Sequence, residues 1–145
     1  MSWRGDFFST ACLVLGTSIS VRAETDAEVQ ARKDALDVAG AFSNDGFKIR
    51  DGHWCGVLKP HEHALVAANL YAGNQYWFSA GATEPVKKIG VSLYDESGKQ
   101  MTAESYNDGE KAAAGFSPPN SGQYFVSVDL LEGDEGTCCL VYSYK

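Results

Sequence analysis

Positive charge, histidine and catalytic motifs are all scarce in this sequence, and each scarcity excludes something. Twelve Lys and Arg stand against nineteen Asp and Glu, a formal net charge of −7 over 145 residues. There is no basic run and no interleaving of basic with aromatic residues. Such a surface repels polyanions, which argues against nucleic acid and anionic membranes as partners. No G-x-S-x-G, H-E-x-x-H or Gly-rich phosphate loop occurs. Paired carboxylates can be assembled from any acidic surface, so they do not point to glycoside hydrolysis. No nucleophile has a plausible base, and the chain is expected not to be an enzyme. It also lacks an EF-hand loop, a nonapeptide repeat, a solenoid-type repeat and a low-complexity linker.

Long apolar runs are missing too. Phe7 to Val21 is mostly apolar but is interrupted by Ser, Thr and Gly. It falls short of the roughly 20 residues a spanning helix needs. With Arg4 ahead of it and Val21-Arg22-Ala23 behind it, it reads as an export signal cleaved after Ala23. Cys12 falls before the apolar run is complete, and Ser9-Thr10-Ala11 lacks the Leu of a lipoprotein site. Removing Arg4, Arg22 and Asp6 with the signal moves the charge from −7 to −8. The expected organisation is a signal at 1–23, a helical segment at 24–46 and one domain at 47–145. The destination is the periplasm or the medium, and no membrane span is left after cleavage.

Glu24 to Ser43 is the helical stretch. Thr25-Asp26-Ala27-Glu28 is a capping box, with acidic residues suited to the positive end of the helix dipole. Ala31, Ala35, Val38 and Phe42 share one face, with Ala39 beside them. Asn44-Asp45-Gly46 is a stop signal. A stripe of small residues suits close packing on a sheet. The competing role is contact with another protein.

What remains alternates at period two. Tyr76-Trp77-Phe78-Ser79-Ala80, Ile89-Gly90-Val91-Ser92-Leu93 and Tyr124-Phe125-Val126-Ser127-Val128 each place apolar residues on one side. That is the pattern of a half-buried strand, and a helix would scatter it. Gly73-Asn74, Asp95-Glu96-Ser97-Gly98 and Pro118-Pro119-Asn120-Ser121-Gly122 supply turn chemistry between the runs. Further strands are expected at His53–Leu58, Ala64–Leu70, Gln100–Glu104, Ala112–Phe116 and Cys138–Tyr144. A turn is expected at Asn107-Asp108-Gly109 and an acidic loop at Leu131–Gly136. Strands at roughly 8–12-residue spacing fit an antiparallel β-sandwich. The runs L-x-A-G-N-x-Y-x-F, V-x-L-Y-D-x-x-G and F-x-P-x-x-S-G-x-Y-x-V-x-V, taken in order, resemble the bacterial pre-peptidase C-terminal domains over about Leu65 to Tyr144. The resemblance implies a small secreted sandwich of jelly-roll type, of a kind appended to exported enzymes.

Candidate sites follow from residue chemistry. After export, Cys55, Cys138 and Cys139 remain, and a disulfide is their expected fate in an oxidising compartment. Strand parity sends Cys138 and Cys139 to opposite faces, so only one of them meets Cys55 easily. Which one is open. His61-Glu62-His63 with His53 offers three imidazoles for zinc or copper, but Lys59-Pro60 places the triplet in a turn. Asp95, Asp108, Asp129, Asp134 and Glu135 lie at turns that could gather oxygen ligands, so calcium is the one cofactor considered. Asp95 is the more natural cap of its own turn. Trp54, Trp77, Tyr71 and Tyr106 are the aromatics that could hold a protein or a glycan. Trp77 also suits a place under the helix, which needs an apolar sheet face to cover.

The expectation is a stand-alone binding or accessory module with no assigned ligand or oligomeric state. The alternatives are an envelope assembly protein that uses the helix, or a periplasmic metal binder. Exposed aromatics in a row would favour binding. A detached helix would favour assembly, and convergent imidazoles metal.

Overall fold

The computed structural model describes residues 24–50 and 54–145. The expected signal at 1–23 and His53 lie outside the described residues. The elements run α1 (Asp26–Ser43), β1 (Lys48–Ile49), β2 (Trp54–Leu58), β3 (His63–Leu70), β4 (Tyr76–Ala82), β5 (Val86–Asp95), β6 (Gln100–Met101), β7 (Glu104–Asp108), β8 (Lys111–Phe116), β9 (Gly122–Gly133) and β10 (Gly136–Tyr144). The protein is mainly β, with two antiparallel sheets and one N-terminal helix.

One sheet has the order β1-β10-β4-β8-β7, with β2 also paired to β10. The other has the order β3-β9-β5-β6. Alternate residues of each strand meet between them. Tyr76, Phe78, Ala80 and Ala82 of β4 and Cys138 and Leu140 of β10 face Ile89, Val91 and Leu93 of β5 and Val126, Val128 and Leu130 of β9 in one apolar core. Burying such side chains contributes about 1.5–3 kcal/mol each before entropy is counted.

The other side of the first sheet is covered by α1. Thr25 Oγ1 accepts from the Glu28 N–H at 3.1 Å, and the Glu28 carboxylate accepts from the Thr25 N–H at 2.9 Å. This capping box starts the helix by satisfying donors that have no partner within it. It ends at Ser43 with Asn44 as C-cap, and the turn that follows closes at Gly46, whose φ of +90° glycine tolerates. Ala31, Ala35, Val38 and Ala39 are buried, and Ala35 and Ala39 pack on Val141 of β10. Small residues let the helix lie close. A Cβ on Gly81 would stand 2.6 Å from Ala31 O, Ala35 N and Asp34 Cβ. Phe42 stacks on Trp77 with ring centroids 4.1 Å apart. The indole in turn lies over Gly115, its cross-strand neighbour on β8, where a Cβ would come within 2.8 Å of the ring. The helix therefore packs on its own sandwich, and Trp77 is one of the residues it covers.

Three stretches depart from expectation. Leu131–Gly136 is not a loop: β9 runs to Gly133 and β10 begins at Gly136, leaving Asp134-Glu135 as the hairpin tip. Pairing with β5 carries the strand on past Leu130, through Val86↔Gly133, Lys88↔Glu132 and a Lys88–Glu132 ion pair at 3.7 Å. Gln100–Glu104 is not one strand. β6 ends at Met101, and β7 starts a new strand at Glu104 in the other sheet. The β7–β8 turn lies at Gly109-Glu110, one step beyond Asn107-Asp108-Gly109.

Candidate functional site

The sandwich has two outer faces, and among the described residues only one carries a helix. The exposed face belongs to the sheet β3-β9-β5-β6. Residues opposite in parity to the core form three rows across it: His63–Asp129–Gly90, Leu65–Ser127–Ser92 and Ala67–Phe125–Tyr94. They lie side by side because register is continuous from His63↔Asp129 to Leu70↔Gly122 and from Gly90↔Asp129 to Asp95↔Tyr124. The result is a shallow depression of about 470 Å³ lined by His63, Leu65, Tyr94, Phe125, Ser127 and Asp129, with Glu96 to Gly98 at one rim.

Its composition is mixed. Leu65 is 57% exposed, Leu131 is exposed, and Phe125 and Tyr94 are half-buried. Leu131 leans over Gly90, where a Cβ would meet its Cδ1 at 3.2 Å. At the centre the Ser127 hydroxyl donates to the Asp129 carboxylate at 2.6 Å, although Ser127 is only 2% exposed. The acceptor of this hydrogen bond is a carboxylate, not an imidazole. Ser127 is thus an anchored hydroxyl, its hydrogen bond committed to Asp129. The Asp95 carboxylate at the rim closes its own turn. It accepts from Ser97 Oγ at 2.7 Å, from the Ser97 N–H at 2.9 Å and from the Lys99 N–H at 2.9 Å. These bonds, the Ser97 hydroxyl foremost, hold its pKa below the ordinary value.

The residues singled out in the sequence lie apart. His61 sits in the turn after Pro60 with φ +64°, and its N–H donates to Leu130 O. It is off the strand that carries His63, so the alternation that would align an H-x-H does not apply. Asp108 ends edge strand β7, near the Tyr106 hydroxyl at 3.5 Å. Asp129 is on the open face and Asp134 at a hairpin tip. Among the described residues no three His, Cys, Asp or Glu are placed to hold a metal ion. Trp54 packs against the core, and Tyr71 is 56% exposed in the loop after β3. Trp54, Trp77 and Tyr71 thus form no row. The aromatics that do share a surface are Tyr94 and Phe125. Parity carries their signal, since each alternates with a core residue, but only the register shows that they are neighbours.

Cys139 is the one bonded to Cys55, across the pair that β2 and β10 make. Cys138 faces the core as a free thiol, and burial pushes its pKa up to about 11. That is the opposite of what a reactive cysteine needs. A second concavity, about 960 Å³ between α1 and residues 83–87, is rimmed by Asp34, Glu84, Lys87 and Glu110. It is a gap at the helix margin, with charged side chains around Ala82, Pro85 and Val86.

No family model matches the chain. No curated protein matches it either. Among solved structures the chain is similar to Aeromonas hydrophila PliG, described as a periplasmic lysozyme inhibitor of g-type lysozyme. The identity is 16% with a TM-score of 0.48, over 65% of this chain and 85% of that one.

Proposed function

We propose that this chain is an exported, non-catalytic binding protein that captures a protein partner on the open face of the β3-β9-β5-β6 sheet. The observation that carries the reading is the asymmetry of the sandwich. One outer face is sealed by α1, while the other presents Leu65, Tyr94, Phe125 and Leu131 around an anchored Ser127–Asp129 pair. Clustered apolar side chains that water must cover mark contact surfaces. Half-buried aromatics on a rigid sheet are good anchors because little freedom is lost when they are covered.

A protein fits better than a glycan. Reading a sugar needs free polar groups beside a flat ring, and Ser127 is already buried and bonded. Asp129 and Glu96 would favour a partner with basic residues around its contact patch. Export is supported by the reading of residues 1–23 as a cleaved signal and by the Cys55–Cys139 bond, a feature of oxidising compartments. No helix among the described residues is long and apolar enough to cross a membrane. The assembly alternative needs a free helix, but the small-residue stripe of α1 is buried against β4 and β10.

The test is a binding screen of the exported chain against basic extracellular and envelope proteins, with g-type lysozyme among them, alongside a glycan array. Leu65→Glu and Phe125→Ser should each weaken capture of a true partner roughly thirty-fold, the ~2 kcal/mol typical of a hot spot. Lys33→Ala on α1 should leave it unchanged. A partner sensitive to Lys33→Ala and indifferent to Leu65→Glu and Phe125→Ser would sink the reading, as would high-affinity glycan binding on this face.

A further inference from the structure

We propose that β3 pairs edge to edge with β3 of a second copy, joining two open sheets into one continuous sheet across a two-fold axis. This does not rest on the reading of the open face. It rests on the backbone at the sheet's margin.

β3 is the outermost strand of its sheet, with no strand beyond it among the described residues. The Leu130 N–H donates to Glu62 O at 3.0 Å, and Leu130 O accepts from the His61 N–H at 3.1 Å. Two residues thus face one, as in a β-bulge. From there the antiparallel ladder alternates without interruption. Ala64, Val66 and Ala68 bond to β9, while His63, Leu65, Ala67 and Asn69 turn their N–H and C=O groups outward. That leaves a regular row of donors and acceptors along an eight-residue strand.

Proteins usually blunt such edges with charge, proline, bulges or shortness. The other margins are shorter or charged: β1 and β6 have two residues each, β2 has five, and β7 carries Glu104 and Asp108. β3 reads HALVAANL, without proline, lysine or carboxylate. Its inward residues Ala64, Val66 and Ala68 point into the core yet stay only half-buried, so the core is open along this margin.

The occupant this strand suits is a second copy: on a chain of formal net charge −7, β3 is where two copies meet without placing carboxylates opposite each other. Pairing about Val66 also keeps each face matched. It sets Leu65 opposite Ala67 of the second copy and His63 opposite Asn69, with the two Val66 side chains meeting on the axis and closing the open core. An axis at Ala67 would put Leu65 opposite Asn69, and one at Leu65 would set each Val66 opposite Ala64.

Sedimentation velocity on the oxidised, exported chain should show twice the chain mass. Ala67→Pro removes an outward N–H that the monomer does not use, and should return the protein to monomer with its fold intact by circular dichroism. Leu65→Lys, which leaves the backbone alone, should weaken the dimer at least ten-fold and covers the case in which the proline variant misfolds. Val66→Cys should give a disulfide-linked dimer on oxidation, because a non-hydrogen-bonded pair brings Cα atoms within bridging distance. Asn107→Cys on β7 should not. A chain that stays monomeric at its highest soluble concentration overturns the proposal. So does a dimer that ignores both β3 substitutions, or a monomer that takes up an unrelated extended peptide along β3.

Discussion

Cys138 and Cys139 are adjacent in the chain and opposite in environment. Cys139 points under the helix and is bonded to Cys55, while Cys138 points between the sheets, where burial keeps its thiol protonated. Iodoacetamide should therefore spare Cys138 in the native protein at mildly alkaline pH and modify it on unfolding, as read by peptide mass. The same shift gives a pH dependence. The unfolded thiol ionises near 9.0 and the folded one near 11, so between those values the folded state holds a proton that the unfolded state has lost. Stability must fall as pH rises through that window, with a limiting slope of about 1.4 kcal/mol per pH unit, and should be unaffected by this group below it. Cys138→Ala should flatten that part of the curve in urea titrations; parallel curves would show that the thiol is not buried as described. Parity alone separates the two cysteines. Choosing between them requires knowing that Cys55 lies opposite Cys139 on the helix side, a fact of global register that no local pattern contains.

At the scale of elements, the seat of α1 on β4 is the most constrained contact. Gly81 has no room for a side chain, because backbone atoms of the helix close over it. Gly81→Ala should destabilise the protein by roughly 1–3 kcal/mol, the usual cost of overpacking, and shift the Trp77 fluorescence as the Phe42 ring lifts away. An unchanged urea midpoint would mean that the helix rides higher than described. The helix was legible in the sequence because its capping box and its stop are local chemistry. β7 was not, because all five of its residues are exposed and leave no alternation to detect. The end of β9 was misread for a related reason: Leu131, Glu132 and Gly133 lie past Leu130, and pairing with β5 rather than burial makes them a strand. The open face was hidden more thoroughly. Leu65, Tyr94 and Phe125 come from three strands far apart in the chain, and only the register makes them neighbours.

For the whole molecule, the Cys55–Cys139 bond closes a loop of 84 residues and ties the β2 margin to the last strand. On the loop-entropy account that contributes about 4.5 kcal/mol by restricting the unfolded chain. Against the 5–15 kcal/mol typical of a domain, the reduced protein, or Cys55→Ala with Cys139→Ala, should be only marginally folded. Urea unfolding with and without reductant checks this; equal midpoints would mean that the bond restrains little of the unfolded chain. The strands that surround the bond were foreseeable from their alternation, whereas the placement of β2 beside β10 depends on the crossover between sheets. The capped first turn of α1 lies on the far side of the sandwich from Leu65 and Phe125. A fluorophore, a biotin or a fused reporter attached just ahead of Glu24 would therefore leave the molecule from its back. Coupled to a sensor chip through that end, every copy would present the same uncluttered front to solution.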